Sequence, residues 1–143
     1  MSQELTENEG RYVKVIYRRQ VEERKKVRTT EMANIFGVRP ATVTETLQKL
    51  AQKNILRHDP YHGVELTGDG LLKAKQLLRK HRLLETLFVN HLNYGVQEAC
   101  EEACRLDHHA SRDLINQICR TYGHPKLCPC NKPIFVDEDC CKA

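Results

Sequence analysis

Two short helical segments meet at the turn Phe36-Gly37-Val38-Arg39-Pro40, and no other feature of this 143-residue sequence restricts its fold as tightly. Upstream of the turn, Thr29 or Thr30 precedes Glu31, and the run Met32, Ala33, Ile35, Phe36 closes at Gly37. That order suits a short capped helix ended by a left-handed residue. Downstream, Pro40 is a favoured first-turn residue. The helix it opens carries Val43, Leu47 and Leu50 inward and leaves Thr42, Thr44, Glu45, Gln48 and Lys49 toward solvent. Two helices joined by a tight glycine turn form a helix-turn-helix, whose second helix is built to enter the major groove of DNA.

The flanking segments extend the pattern. From Glu9 to Glu23, Tyr12, Val13, Val15, Ile16 and Tyr17 recur at helical spacing and predict a preceding helix with one buried stripe. Ile55 to Leu66 has short apolar stretches on either side of Asp59, Pro60, Tyr61, His62 and Gly63, the signature of a β-hairpin. Three helices and a hairpin, in that order, make a winged helix. Thr67 is placed to cap a long helix through Leu71, Leu72, Ala74, Leu77 and Leu78 toward Leu92, which leaves the winged unit and begins a second core. Asn93, Tyr94 and Gly95 break it. A helix over Cys100–His108 and another over Ser111–Tyr122 follow, and Gly123, His124 and Pro125 end helical structure before a tail without clear periodicity.

Net charge divides along the same line. Residues 1 to 82 carry 17 Lys and Arg against 10 Asp and Glu, a balance of +7, whereas residues 83 to 143 carry 6 against 9, a balance of −3. The basic half is therefore the part suited to an anionic partner. Arg18, Arg19, Arg24, Lys25, Lys26 and Arg28 adjoin the helix-turn-helix, where Lys and Arg bind phosphates irrespective of sequence. Base reading falls to the exposed start of the second helix: Arg39 can contact guanine, and Ala41, Thr42 and Thr44 offer small apolar or hydroxyl contacts. Glu45 either accepts from cytosine or stays solvated. Arg28, Lys49, Lys53, Arg57 and His62 are expected at phosphates or the minor groove. Double-stranded operator DNA is the expected partner.

The more acidic half holds metal-binding residue types at helical spacing. Cys100, Cys104, Asp107 and His108 lie within an arc of about 100° on one helix face, and His81 and Glu85 form an i, i+4 pair on the preceding helix. Seven cysteines in a chain whose acidic N-terminus is unlike a signal peptide argue for a cytoplasmic protein with metal or redox chemistry rather than structural disulfides. Cys128 and Cys130 flank a proline, and with Cys140 or Cys141 they suit zinc or an iron-sulfur cluster. Cys119, beside Ile118, reads as a small buried hydrophobe. His58, His62, His91, His109 and His124 read as surface or structural histidines. No stretch approaches a membrane span, and no HExxH, nucleophile elbow or phosphate-cradling loop appears, so neither a membrane partner, a small-molecule substrate nor an enzyme is expected.

These residues carry a resemblance to the diphtheria toxin repressor and manganese transport repressor family of metal-dependent transcriptional regulators. It spans residues 9 to 135 and rests on Arg79-Lys80-His81-Arg82-Leu83-Leu84-Glu85 and Ala103-Cys104-Arg105-Leu106-Asp107-His108. Thr42-Val43-Thr44, Leu66-Thr67-Gly68, Gly123-His124-Pro125, Cys128-Pro129 and Pro133-Ile134 support it. The length resembles members without an SH3-like domain. The resemblance implies a mainly α protein, with a winged helix-turn-helix DNA-binding domain over 1–68 and a helical dimerisation and metal-binding domain over 69–143. It implies a homodimeric repressor in which His81, Glu85 and Cys100 share one metal site and Cys104, Asp107 and His108 the other. The family takes a further ligand from the first helix, where this chain has Arg11, and the manganese branch adds a carboxylate where it has Lys14; Glu9, a backbone carbonyl or a water can stand in, or the additional cysteines take over the sensing chemistry. Cys104 resembles the iron-responsive branch, and thiolate ligation favours Fe(2+), then Zn(2+) or another divalent transition metal, over manganese. A thiol or iron-sulfur redox sensor on the same scaffold is the alternative expectation.

Overall fold

The computed structural model describes residues 4–59 and 63–141. The chain packs as two units that divide between Ala74 and Lys75. Its described residues form six α-helices and one two-stranded antiparallel sheet, and none of those helices is long and apolar enough to cross a membrane.

In the first unit, α1 spans Glu7–Tyr17 and starts in a capping box. The Glu9 amide donates to Thr6 Oγ1 at 3.1 Å while Glu9 Oε1 accepts from the Thr6 amide at 2.9 Å, so two amides that a helix start would orphan are satisfied. Tyr12, Val13, Ile16 and Tyr17 form its buried stripe, as their spacing predicts. The expected helix to Glu23 is not uniform, because Arg18–Glu22 widen into a π-helical turn. α2 spans Thr29–Phe36 and α3 spans Pro40–Gln52. Gly37 sits at φ 64° as the αL cap between them, a conformation that costs an L side chain and not glycine. The cap at the other end of α2 differs from expectation: Arg28 occupies it without a side-chain bond, and Thr29 is already helical.

Val43, Leu47 and Leu50 of α3 are fully buried, each contributing roughly 2 kcal/mol of transfer free energy. β1 (Leu56–Asp59) pairs with β2 (Gly63–Leu66), Leu56 facing Leu66 and Asp59 facing Gly63. Leu56, Val64 and Leu66 turn inward while Arg57 and Glu65 face out, the alternation of a half-buried hairpin. Pro60, Tyr61 and His62, expected at its tip, lie outside the described residues. α4 spans Gly68–Leu92. Thr67 caps it, accepting from the Gly70 amide at 3.1 Å and donating to the carbonyls of Asn54 and Ile55.

The second unit comprises the remainder of α4, α5 (Val96–Leu106), α6 (Arg112–Thr121) and the tail. Asn93 at φ 58° ends α4, and Ser111 caps α6 by accepting from the Leu114 amide. The core gathers Leu83, Leu84, Phe88, Ala99, Ala103, Ile115, Ile118, Cys119, Cys128, Ile134 and Cys140. Two buried arginines of α4 order the tail. Arg79 donates to the Phe135 carbonyl at 2.8 Å and to Asn116 Oδ1 at 2.9 Å, and Arg82 donates to the Pro133 carbonyl at 2.7 Å. A guanidinium offers five donors in a rigid fork, so it can satisfy carbonyls in a tail whose own strand pairing, among the described residues, is limited to a bridge between Leu127 and Pro133.

Candidate metal centre and nucleic-acid interface

On the first unit, Arg39, Ala41, Thr42, Glu45, Gln48 and Lys49 are exposed at the start and along the outer face of α3. Thr44 is half-buried, and its hydroxyl donates to the Pro40 carbonyl at 3.1 Å, which leaves its oxygen lone pairs and methyl for other contacts. Arg28 and Arg57 are exposed. Arg24, Lys25 and Lys26 are exposed as well, whereas Arg19 lies 3.6 Å from Glu23 and 3.7 Å from Glu31. Lys53 is placed differently from the other cations: its ammonium is 2.6 Å from Glu9 Oε1 and 3.1 Å from the Glu4 carbonyl. Burial opposes the charge on Glu9, but Lys53 and Thr6 outweigh it and lower its pKa. Glu9 is thereby engaged in both an ion pair and a helix cap. The Arg11 guanidinium lies over the Phe36 ring at 5.9 Å, and Lys14 is buried.

The second unit assembles its ligands around one imidazole. His81 is fully buried on α4. Its Nε2 lies 2.9 Å from Glu85 Oε1, one turn along the same helix, and 3.4 Å from the Cys100 sulfur on α5. Its Nδ1 lies 3.1 Å from Asp107 Oδ2 at the C-terminal cap of α5. Two triads of donor atoms, each spanning no more than 4.8 Å, therefore share His81: His81, Glu85 and Cys100 form one, and His81, Cys104 and Asp107 the other. Burial alone would depress the imidazole pKa, but bonds to Asp107, Cys104 and Glu85 overcome it and raise the value to about 10. Two carboxylates and two thiols in a desolvated pocket thus demand positive charge. A divalent cation meets the same demand by displacing protons, so this donor set fits one.

His108 departs from the helical arc. α5 ends at Leu106, and His108 follows in a turn with its ring edge-on to that of His109 at 5.2 Å. Among the described residues, it is absent from the donor groups containing Cys104 and Asp107. The tail cysteines also separate. Cys128 and Cys130 gather with Glu85, the Cys130 thiol donating to Glu85 Oε2 at 3.5 Å. Partial desolvation and then that carboxylate push the thiol up to about 11. Cys140 and Cys141 gather instead with Cys119 and His124. The four tail cysteines thus fall into two groups, and Cys119, buried in the core as expected, and His124, exposed as expected, also stand among donors. Their separation in sequence offers no ligand spacing that would have disclosed this.

Residues 4–64 match the family model of the iron dependent repressor N-terminal DNA binding domain, and residues 67–136 match that of the iron dependent repressor metal binding and dimerisation domain. The chain belongs to the iron-dependent repressor family. An uncharacterised HTH-type transcriptional regulator of Methanocaldococcus jannaschii is 32% identical over 107 residues, covering 75% of this chain and 86% of that protein. The iron-dependent repressor IdeR of Mycobacterium tuberculosis is 32% identical over 93 residues, 65% of this chain, and the match spans only 40% of that repressor's length. Among solved structures, a manganese-dependent transcriptional repressor in complex with manganese superposes with a TM-score of 0.84 at 35% identity, covering 91% of this chain and 59% of that one. Membership places the winged helix-turn-helix and the His81 cluster in a family of metal-dependent repressors, not of enzymes.

Proposed function

We propose that this chain is a homodimeric, iron-responsive transcriptional repressor that binds operator DNA when a divalent metal occupies the His81 cluster. The observation that carries the reading is the buried imidazole with donors on both ring nitrogens, in a chain whose other unit is a helix-turn-helix domain. His81, Glu85 and Cys100 are the proposed ligands of one ion; Cys104 and Asp107 are those of a second, which His108 would join only by turning in from its place outside their group. A bound cation supplies the positive charge that the imidazolium otherwise provides. His81 contacts Glu85 on α4 and both Cys100 and Asp107 of the α5 segment through its two ring nitrogens, so an ion that displaces its proton would act on the packing between those helices. Cys100 and Cys104 add thiolates to nitrogen and oxygen donors, a set that suits Fe(2+) or Zn(2+) better than manganese.

In the same reading Arg39, Ala41, Thr42 and Thr44 contact base edges, and Arg28, Lys49 and Arg57 contact phosphates. A two-fold dimer would present two α3 helices to half-sites one helical turn of DNA apart. The test is an operator titration at one fixed salt concentration, performed on anaerobic protein with and without Fe(2+). Iron should tighten binding at least roughly tenfold, a coupling of about 1.4 kcal/mol, and His81→Ala should erase the difference. Equal affinity of metal-free and metal-loaded protein would end the corepressor reading. A brown protein with visible absorbance would favour an iron-sulfur sensor instead.

A further inference from the structure

We propose that Cys119, His124, Cys140 and Cys141 form a tetrahedral site for one zinc-class divalent ion, which fastens the C-terminal tail to α6. The four donor atoms lie within 4.8 Å of one another. Cys119 Sγ is 3.4 Å from His124 Nδ1 and 4.0 Å from Cys141 Sγ, and Cys140 Sγ is 3.8 Å from His124 Nδ1. Zinc–sulfur and zinc–nitrogen bonds of about 2.3 and 2.0 Å in a tetrahedron separate sulfurs by about 3.8 Å and sulfur from nitrogen by about 3.5 Å. Three of the six donor separations therefore already stand near the values one ion requires, and the rest lie within 4.8 Å. A [4Fe–4S] cluster would attach each cysteine to a different iron atom and hold them further apart.

Local backbone chemistry builds this arrangement from both ends. Cys119 lies in the last turn of α6. Gly123 at φ 69° and His124 at φ 57° turn the chain back, and the His124 amide donates to the Cys119 carbonyl at 2.8 Å. That left-handed pair returns the imidazole to the sulfur five residues earlier. On the tail, the amides of Cys140 and Cys141 both donate to the Asp137 carbonyl, at 3.0 and 2.8 Å. Asp137 is itself held by Arg112 at the start of α6, through bonds of 2.7 and 2.8 Å. Two ends of one helix therefore grip one short segment of tail.

The electrostatics also suit a cation. Three thiolates and a divalent ion leave one negative charge, and the buried Arg79 guanidinium favours negative charge on both Cys119 and Cys141. The centre shares no residue with the His81 cluster, and Cys140 and Cys141 lie beyond residue 136, where the match to the family's metal-binding domain ends. Nothing in the proposal depends on corepression at His81.

Full-length protein, purified anaerobically with reductant, stripped of exchangeable metal by a chelator and reloaded with Zn(2+) alone, provides the test. After a second chelator wash, wild type and His81→Ala should each keep one equivalent of zinc, and His124→Ala and the Cys140→Ser, Cys141→Ser double variant should lose it. Zinc should slow alkylation of Cys119, Cys140 and Cys141 by at least roughly tenfold, because a coordinated thiolate is withheld from the reagent. His124→Cys, at an exposed position, should restore a four-ligand site, retain the equivalent and intensify the sulfur-to-cobalt charge-transfer band after Co(2+) substitution. Equal zinc content in wild type and the double variant would overturn the proposal. So would a Cys119–Cys141 disulfide in the reduced preparation, or alkylation rates indifferent to zinc.

Discussion

Lys49 and Lys53 stand four residues apart, the first on α3 and the second at its C-terminal cap, yet their chemistry differs. Lys49 is exposed, whereas Lys53 forms a 2.6 Å ion pair with the buried carboxylate of Glu9. Lys49→Met is expected to reduce the slope of log affinity against log salt by about 1, the signature of one lost phosphate contact. Lys53→Met should leave that slope nearly unchanged and lower stability by about 2 kcal/mol, because Glu9 loses its charged partner. Urea unfolding and salt-dependent operator titrations separate the two outcomes. If Thr44 reads a base edge as proposed, Thr44→Ala should weaken discrimination between operator and unrelated DNA without changing metal affinity. At Gly70 the constraint is steric. A Cβ there would fall 2.0 Å from the Ile55 carbonyl oxygen, which accepts from the Thr67 amide. Gly70→Ala should shift the urea midpoint at unchanged slope, a loss of about 2 kcal/mol.

At the scale of elements, apolar periodicity and punctuation carried the helices well. Pro40, Gly37, Asn93 and Ser111 each mark a boundary that their backbone chemistry dictates. Periodicity failed where a helix changed character or stopped. The π-helical turn at Arg18–Glu22 left no trace in the spacing, and the arc through Cys100, Cys104, Asp107 and His108 presumed a helix that ends at Leu106. The tail illustrates a different limit, because its order comes from polar contacts with residues distant in sequence. Arg112 lowers the Asp137 pKa well below the usual carboxylate range. The bond is therefore fully present above about pH 4, where a free aspartate is ionised, and is lost as pH falls through the lowered folded value. The amide resonances of Cys140 and Cys141 should hold their positions to unusually low pH in wild type. In Arg112→Gln they should move near the ordinary aspartate range, and coincident titrations would refute the tether.

For the whole molecule, the order of helices, the hairpin and the basic-to-acidic change in charge make a winged helix followed by a helical metal-binding unit legible in the sequence alone. Those features depend on local propensity, on amphipathic period and on composition, all of which a linear sequence carries. Six ligand-type residues were legible for the same reason, as points on two helical faces. How donors combine was not, because grouping depends on separations across helices. Only the placement of α5 beside α4 made His81 common to two triads, and only the path of the tail drew Cys130 to Glu85. Only the return of the tail over α6 set Cys140 and Cys141 beside Cys119 and His124. Residue types and helical period thus determined which chemistry the chain can perform, and tertiary structure decided which side chains perform it together, since ligation requires atoms within a few ångströms whatever their distance along the chain.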